Sequence, residues 1–103
     1  MITFKAVYTV KQEFAKQNQE NINAFMQDFQ KINNADFRYN VYLGTDGQTF
    51  THVSHYKNAA IQQALLAVPS FKYFQEQRDN SGLEDQPQLE EIVLIDSSSS
   101  IFN

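Results

Sequence analysis

No cysteine and no tryptophan occur in this 103-residue chain. The missing cysteine removes disulfides, thiolate nucleophiles and thiolate metal sites together, and it suits a reducing, cytoplasmic setting. Basic runs are missing as well. Eight Lys and Arg stand against twelve Asp and Glu, a net charge of −4. A phosphate backbone or an anionic membrane surface calls for a dense basic face, so neither nucleic acid nor membrane is expected as a partner. No stretch approaches the ~20 consecutive apolar residues of a membrane-spanning helix. The opening MITFKAVYTVKQEF lacks the basic start and unbroken apolar run of a secretory leader. There is no internal repeat, and the one low-complexity stretch is Ser97 to Ser100.

What is present is a globular composition, with nine Phe and five Tyr and 42 % hydrophobic residues. The length suits one domain, expected over residues 1–96, with a Ser-rich tail at 97–103. A chain this small buries only about two-thirds of its unfolded surface, so association with a second copy would help it.

Apolar alternation at Ile2, Phe4, Ala6, Tyr8 and Val10 predicts a first strand with one face inward. A helix is then expected to start between Glu13 and Asn18. Ile22, Phe25, Met26, Phe29 and Ile32 form its core stripe, and Asn33-Asn34 stop it. FRYNVYL and TFTHVSHY follow as a hairpin about Asp46-Gly47, read as a two-residue type I′ turn. That turn pairs Leu43 with Phe50, Val41 with His52, Tyr39 with Ser54 and Phe37 with Tyr56. Arg38, Asn40, Tyr42, Thr51, Val53 and His55 then fall on the other face. Asn58 caps a helix at 59–67, and Ser70 caps a second segment from Phe71 to about Asp79, so that Pro69 sits harmlessly between them. Ser81-Gly82 closes that segment, residues 83–88 make a polar loop, and EIVLID at 91–96 reads as a last strand buried on both faces.

The order strand, helix, strand, strand, broken helix, strand is the ferredoxin-like α+β pattern, an antiparallel four-stranded sheet with helices on one face. The other face should then be polar, yet it carries Val7, Tyr42, Val53 and Val93 or Ile95. Sheet-to-sheet homodimerisation accounts for it. Arg38, Tyr42, Val53 and His55 are the expected interface residues.

The stretch LAVPSFKYF, after a strand ending in the aromatic Tyr56, resembles the antibiotic-biosynthesis-monooxygenase-type family of dimeric α/β barrels. The resemblance covers the element order over residues 2–96, and its specific residues lie within 56–74. It implies two ferredoxin-like subunits joined sheet to sheet, with a pocket between each sheet and its helices that the broken helix closes at one end. Members that oxidise quinols or cleave haem typically carry a Trp at the end of the third strand and a His in the next helix. Tyr56 and Leu65 stand there instead, so haem is not expected, and no cofactor is.

His52 and His55 form an H-x-x-H string, but on a strand they point to opposite faces and cannot share a metal ion. His52 falls on the helix-facing side among Phe37, Tyr39, Val41, Leu43, Phe50 and Tyr56. There it is the candidate catalytic residue, a proton acceptor or hydrogen-bond donor toward a phenolic ligand, or else a core histidine satisfied by the backbone. Tyr8, Tyr39, Ser54 and Tyr56 are the candidate pocket residues. Two activities stay open: a cofactor-independent monooxygenase acting on a phenolic or quinol-type molecule, and a non-catalytic dimeric module that binds a small ligand or serves a structural role.

Overall fold

The computed structural model describes residues 1–32 and 35–102. β1 (Ile2–Thr9) leads to α1 (Gln12–Phe29), then β2 (Phe37–Leu43), β3 (Thr49–Tyr56), α2 (Ala59–Leu66), α3 (Pro69–Asn80) and β4 (Asp85–Ile92). The four strands form one antiparallel sheet in the order β2-β3-β1-β4. This is the ferredoxin-like α+β arrangement expected from the element order. α1 and α3 pack against each other, and the ring-rich core contains Phe25, Phe29, Phe71 and Phe74 from these helices. Tyr8, Phe37, Phe50 and Tyr56 come up from the sheet to meet them.

The hairpin register is the expected one, pairing Phe37 with Tyr56, Tyr39 with Ser54, Val41 with His52 and Leu43 with Phe50. Its turn is not. Gly44 N–H bonds Thr49 O, Gly47 N–H bonds Gly44 O, and the loop is Thr45–Gln48. Gly47 has φ +74°, while no non-glycine residue has positive φ among those described, so Asp46 does not make a type I′ turn. Asp46 instead accepts Gln48 N–H and Thr49 N–H on Oδ1 and the Thr49 hydroxyl on Oδ2. Two-residue and four-residue loops centred on the same bond give the same pairing, which is why the register survives.

α1 begins at Gln12 and ends at Phe29, with Gln30 as its C-cap; the expected stop at Asn33-Asn34 lies outside the described residues. Asn58 caps α2 as expected, its Oδ1 accepting Ile61 N–H at 3.0 Å. Ser70 does not cap α3. Val68 is the N-cap, and Pro69 occupies the first turn, where its missing N–H costs nothing. The Ser70 hydroxyl instead donates to Asp28 Oδ2 at 2.6 Å, tying α3 to α1.

β4 departs most from expectation. It runs over DQPQLEEI, and EIVLID is neither its extent nor buried: Val93 is 81 % and Ile95 92 % exposed. The reason is the register, Thr3 opposite Ile92, which leaves β1 almost no residues beyond that pair for EIVLID to bond. Residues 83–88 are correspondingly not all loop. Asp85 to Gln88 enter the sheet as an edge strand, where Pro87 is tolerated because its nitrogen faces no partner.

Candidate functional site

Small side chains on the sheet make room for a cavity. In the β1–β3 pairing Phe4 lies opposite Ser54 and Ala6 opposite His52, so two large residues alternate with two that leave the floor low. Above this floor stand Phe71, Phe74, Gln75 and Arg78 of α3 with Gln62 and Leu66 of α2, and together they enclose about 210 Å³. Pro87 and Leu89 of β4 form the rim, and Leu89 is 70 % exposed. The break between α2 and α3 thus places two short helices, rather than one straight one, over this end of the sheet. An apolar hole of roughly 150 Å³ admits benzene, so this one suits a single substituted ring.

Of the expected pocket residues, Tyr39, Ser54 and Tyr56 line the cavity together with His52. Tyr8 does not; it is buried behind His52 and bonded to it. The Tyr8 hydroxyl lies 2.8 Å from His52 Nε2, and the Tyr39 hydroxyl lies 2.8 Å from His52 Nδ1. Asn18 Nδ2, from α1, donates to the Tyr8 hydroxyl at 2.9 Å. Both imidazole nitrogens are therefore occupied by tyrosines, and a ligand in the cavity meets the ring without a free nitrogen to bond. His55, on the opposite face of β3, is half-buried and faces away, so the two histidines share no ion. No group of three or more His, Cys, Asp or Glu side chains suited to a metal occurs among the described residues.

Burial sets the protonation of this network. His52 is pushed down to about 3, first by burial and then by the nearby positive charge of Arg78, so it is a neutral imidazole at pH 7. Burial raises Tyr8, against the opposing pull of the Asn18 hydrogen bond and of Arg78. Tyr39 is raised well above the usual phenol range, by burial first and by its tyrosine neighbours next, while Arg78 again opposes. Both tyrosines keep their protons, which makes each a donor.

The sequence reading missed Arg78 and Asn18. Arg78 lies in the last turn of α3 with its guanidinium carbon 5.2 Å from the Tyr8 ring centroid and 5.3 Å from that of Phe74. Its Nε bonds Asp79 Oδ1 at 3.0 Å, and no acceptor among the described residues meets its two terminal nitrogens. This cation, ion-paired with Asp79 on one side, is held over two rings at a cavity wall with only 13 % of its side chain exposed, and its terminal nitrogens are donors suited to an anionic ligand. Its signal was helical spacing: Arg78 follows Phe71 and Phe74 on one stripe, as Asn18 precedes Ile22, Phe25 and Phe29.

Of the expected interface residues, Tyr42 is 59 % exposed, and Arg38, Val53 and His55 are half-buried on the sheet face away from the helices. Arg38 stands opposite His55 in the pairing, and its Nη1 donates to Phe37 O. No helix among the described residues is long and apolar enough to cross a membrane.

The ferredoxin-like fold is shared with solved structures of similar size. A Bacteroides thetaiotaomicron protein provisionally named an antibiotic biosynthesis monooxygenase superposes with a TM-score of 0.82 at 10 % identity, covering 96 % of this chain and 93 % of its own. Rv0793 from Mycobacterium tuberculosis matches with a TM-score of 0.77 at 13 % identity, covering 95 % and 98 %. A structure named antibiotic biosynthesis monooxygenase matches with a TM-score of 0.78 at 9 % identity, covering 93 % and 100 %. The chain therefore has the fold of the antibiotic-biosynthesis-monooxygenase proteins, as LAVPSFKYF and the element order suggested. No protein-family model matches the sequence, and no curated protein does.

Proposed function

We propose that the cavity binds a small planar aromatic molecule with an acidic hydroxyl, a phenol or quinol, and holds it as its anion. The observation that carries this reading is Arg78. Its two terminal guanidinium nitrogens, without an acceptor among the described residues, belong to a residue on the wall of a largely apolar cavity large enough for one ring. An anionic oxygen satisfies the cation, and Phe71, Phe74, Phe4 and Tyr56 surround the ring.

The reaction class that follows is cofactor-independent oxygenation. A phenolate is electron-rich enough to reduce dioxygen itself, and a phenol plus O₂ yields a quinone plus water with no external reductant. The protein's part is to lower the ligand's pKa and exclude bulk water. Support for this class comes from the fold shared with proteins bearing the monooxygenase name. In this scheme His52 is a positioning residue, since Tyr8 and Tyr39 occupy both of its ring nitrogens. A second reading, binding without turnover, is favoured by the same His52, which has no free ring nitrogen and little basicity to offer.

Oxygen uptake with a panel of hydroquinones tests the choice. Uptake by the wild type that drops at least tenfold in Arg78→Gln is the expected result for an oxygenase. Saturable binding of the same compounds with no uptake selects the binding module. We further propose that two copies meet through the Tyr42 and Val53 sheet face, which leaves each cavity with its own sheet and helices.

A further inference from the structure

The chain Asn18–Tyr8–His52–Tyr39 has a direction. Asn18 is fully buried, and its Nδ2 donates to the Tyr8 oxygen. With that oxygen already accepting, the Tyr8 proton is free to point at His52 Nε2, 2.8 Å away. A neutral imidazole that accepts on Nε2 must carry its proton on Nδ1. That proton then goes to the Tyr39 oxygen, 2.8 Å from Nδ1. His52 is the one hydrogen-bond partner of the Tyr39 hydroxyl among the described residues, so in this direction the Tyr39 proton is left without an acceptor there and is available to a ligand in the cavity that Tyr39 lines.

Unless the Tyr8 oxygen accepts from both neighbours and leaves its own proton without an acceptor, the opposite direction requires the Asn18 amide to be turned over. Its Oδ1, which has no partner among the described residues, would then accept from Tyr8, and a buried NH₂ would take the unpartnered place. An orphaned buried donor is the rarer and costlier case, because a carbonyl tolerates under-satisfaction better than an N–H does. The neighbouring Asn21, one turn further along α1, has its Nδ2 without a partner among the described residues. Its Oδ1 already accepts from Gln17 Nε2.

We propose that Asn18 is a positioning residue that polarises this hydrogen-bond chain toward the cavity, fixing His52 as the Nδ1–H tautomer and making Tyr39 a hydrogen-bond donor to the ligand. The site then selects ligands that present an acceptor oxygen to Tyr39, a phenolate or an enolate, over ligands that present a donor. This deepens the phenolate reading of the site and rests on it for the identity of the ligand, although the direction of the chain does not. It also changes the role expected of His52 from the sequence: the imidazole relays a donor outward and does not collect a proton from the ligand.

The experiment is long-range ¹H–¹⁵N NMR of uniformly labelled protein at pH 7. His55→Gln, which alters only the opposite face of β3, leaves His52 as the one histidine and assigns its signals. The expected wild-type pattern is a protonated Nδ1 and an unprotonated Nε2; the reverse tautomer overturns the proposal without any variant of the chain being made. Asn18→Leu keeps the volume, removes the donor, and is expected to replace the single tautomer with a mixture and to weaken 4-nitrophenolate binding about tenfold. A pure Nδ1–H tautomer retained in Asn18→Leu overturns the role of Asn18. If the wild type shows the expected tautomer but binds no nitrophenolate, the direction of the chain is upheld and the phenolate reading is what fails.

Discussion

The Tyr8 hydroxyl meets His52 Nε2 at 2.8 Å across a sequence separation of 44 residues. The β1–β3 register makes this bond: Ala6 lies directly opposite His52 and Tyr8 opposite Phe50, so Tyr8 reaches His52 along the diagonal of one sheet face. Ala6 is too small to fill the space in front of the imidazole, and that space is part of the cavity. One pairing register thus produces both the buried polar chain and the hole beside it.

Removing the Tyr8 hydroxyl leaves two buried groups without a partner, Asn18 Nδ2 and one nitrogen of His52. Tyr8→Phe is therefore expected to lower stability by about 1–3 kcal/mol. Tyr73, whose ring is largely exposed, is the control, and Tyr73→Phe is expected to change little. Urea unfolding of the two variants makes the comparison; equal stabilities would show that the Tyr8 bonds contribute nothing.

Stability should fall with acid through a window set by His52. Its folded-state value, about 3, lies below the ordinary value of 6.5, so below pH 6.5 the unfolded chain takes up a proton that the folded one refuses. Stability from this group is fully present above pH 6.5 and is lost as pH falls toward 3, at up to about 1.4 kcal/mol per pH unit. Between pH 7 and pH 5 the loss is about 2 kcal/mol. His55, also lowered by burial, adds to it with the same sign. Unfolding titrations at the two pH values should show this difference in the wild type and most of it gone in His52→Gln. A His52→Gln variant as acid-sensitive as the wild type would place the effect elsewhere.

The sheet face away from the helices yields the next expectation. Tyr42 is exposed there, and Val7 and Val53 lie on the same side. If two copies meet on it, light scattering at micromolar concentration should give twice the chain mass, and Val53→Asp should halve it, because a carboxylate would have to be desolvated in the interface even with Lys5 opposite it. A wild-type monomer, or a Val53→Asp dimer, would remove this face from the assembly.

Much of the fold was legible because its signals are local. Alternation marked β1, Asn58 marked the start of α2, and the centre of the hairpin fixed its register even though Asp46-Gly47 adopts a different turn. The last strand was misread because Glu91–Asp96 is the more apolar segment, while the strand chosen depends on where β1 begins, which composition does not encode. At the site, face alternation brought His52, Tyr39, Ser54 and Tyr56 to one cavity wall. Arg78 and Asn18 were missed because a polar residue on an apolar stripe carries no weight until the opposing element is known. Occupancy of both His52 nitrogens was likewise invisible, since it depends on rotamers and not on spacing.

The phenolate claim is tested most directly by the colour of a bound nitrophenol. 4-Nitrophenol is titrated with the protein, slightly below the pH at which the free dye ionises, and the absorption of its anion is followed. If Arg78 and Tyr39 hold the ligand as its anion, the bound dye should absorb as phenolate, and Arg78→Gln should abolish that shift. A dye that binds but keeps the spectrum of the neutral phenol, or whose shift survives Arg78→Gln, would contradict the assignment of this cavity.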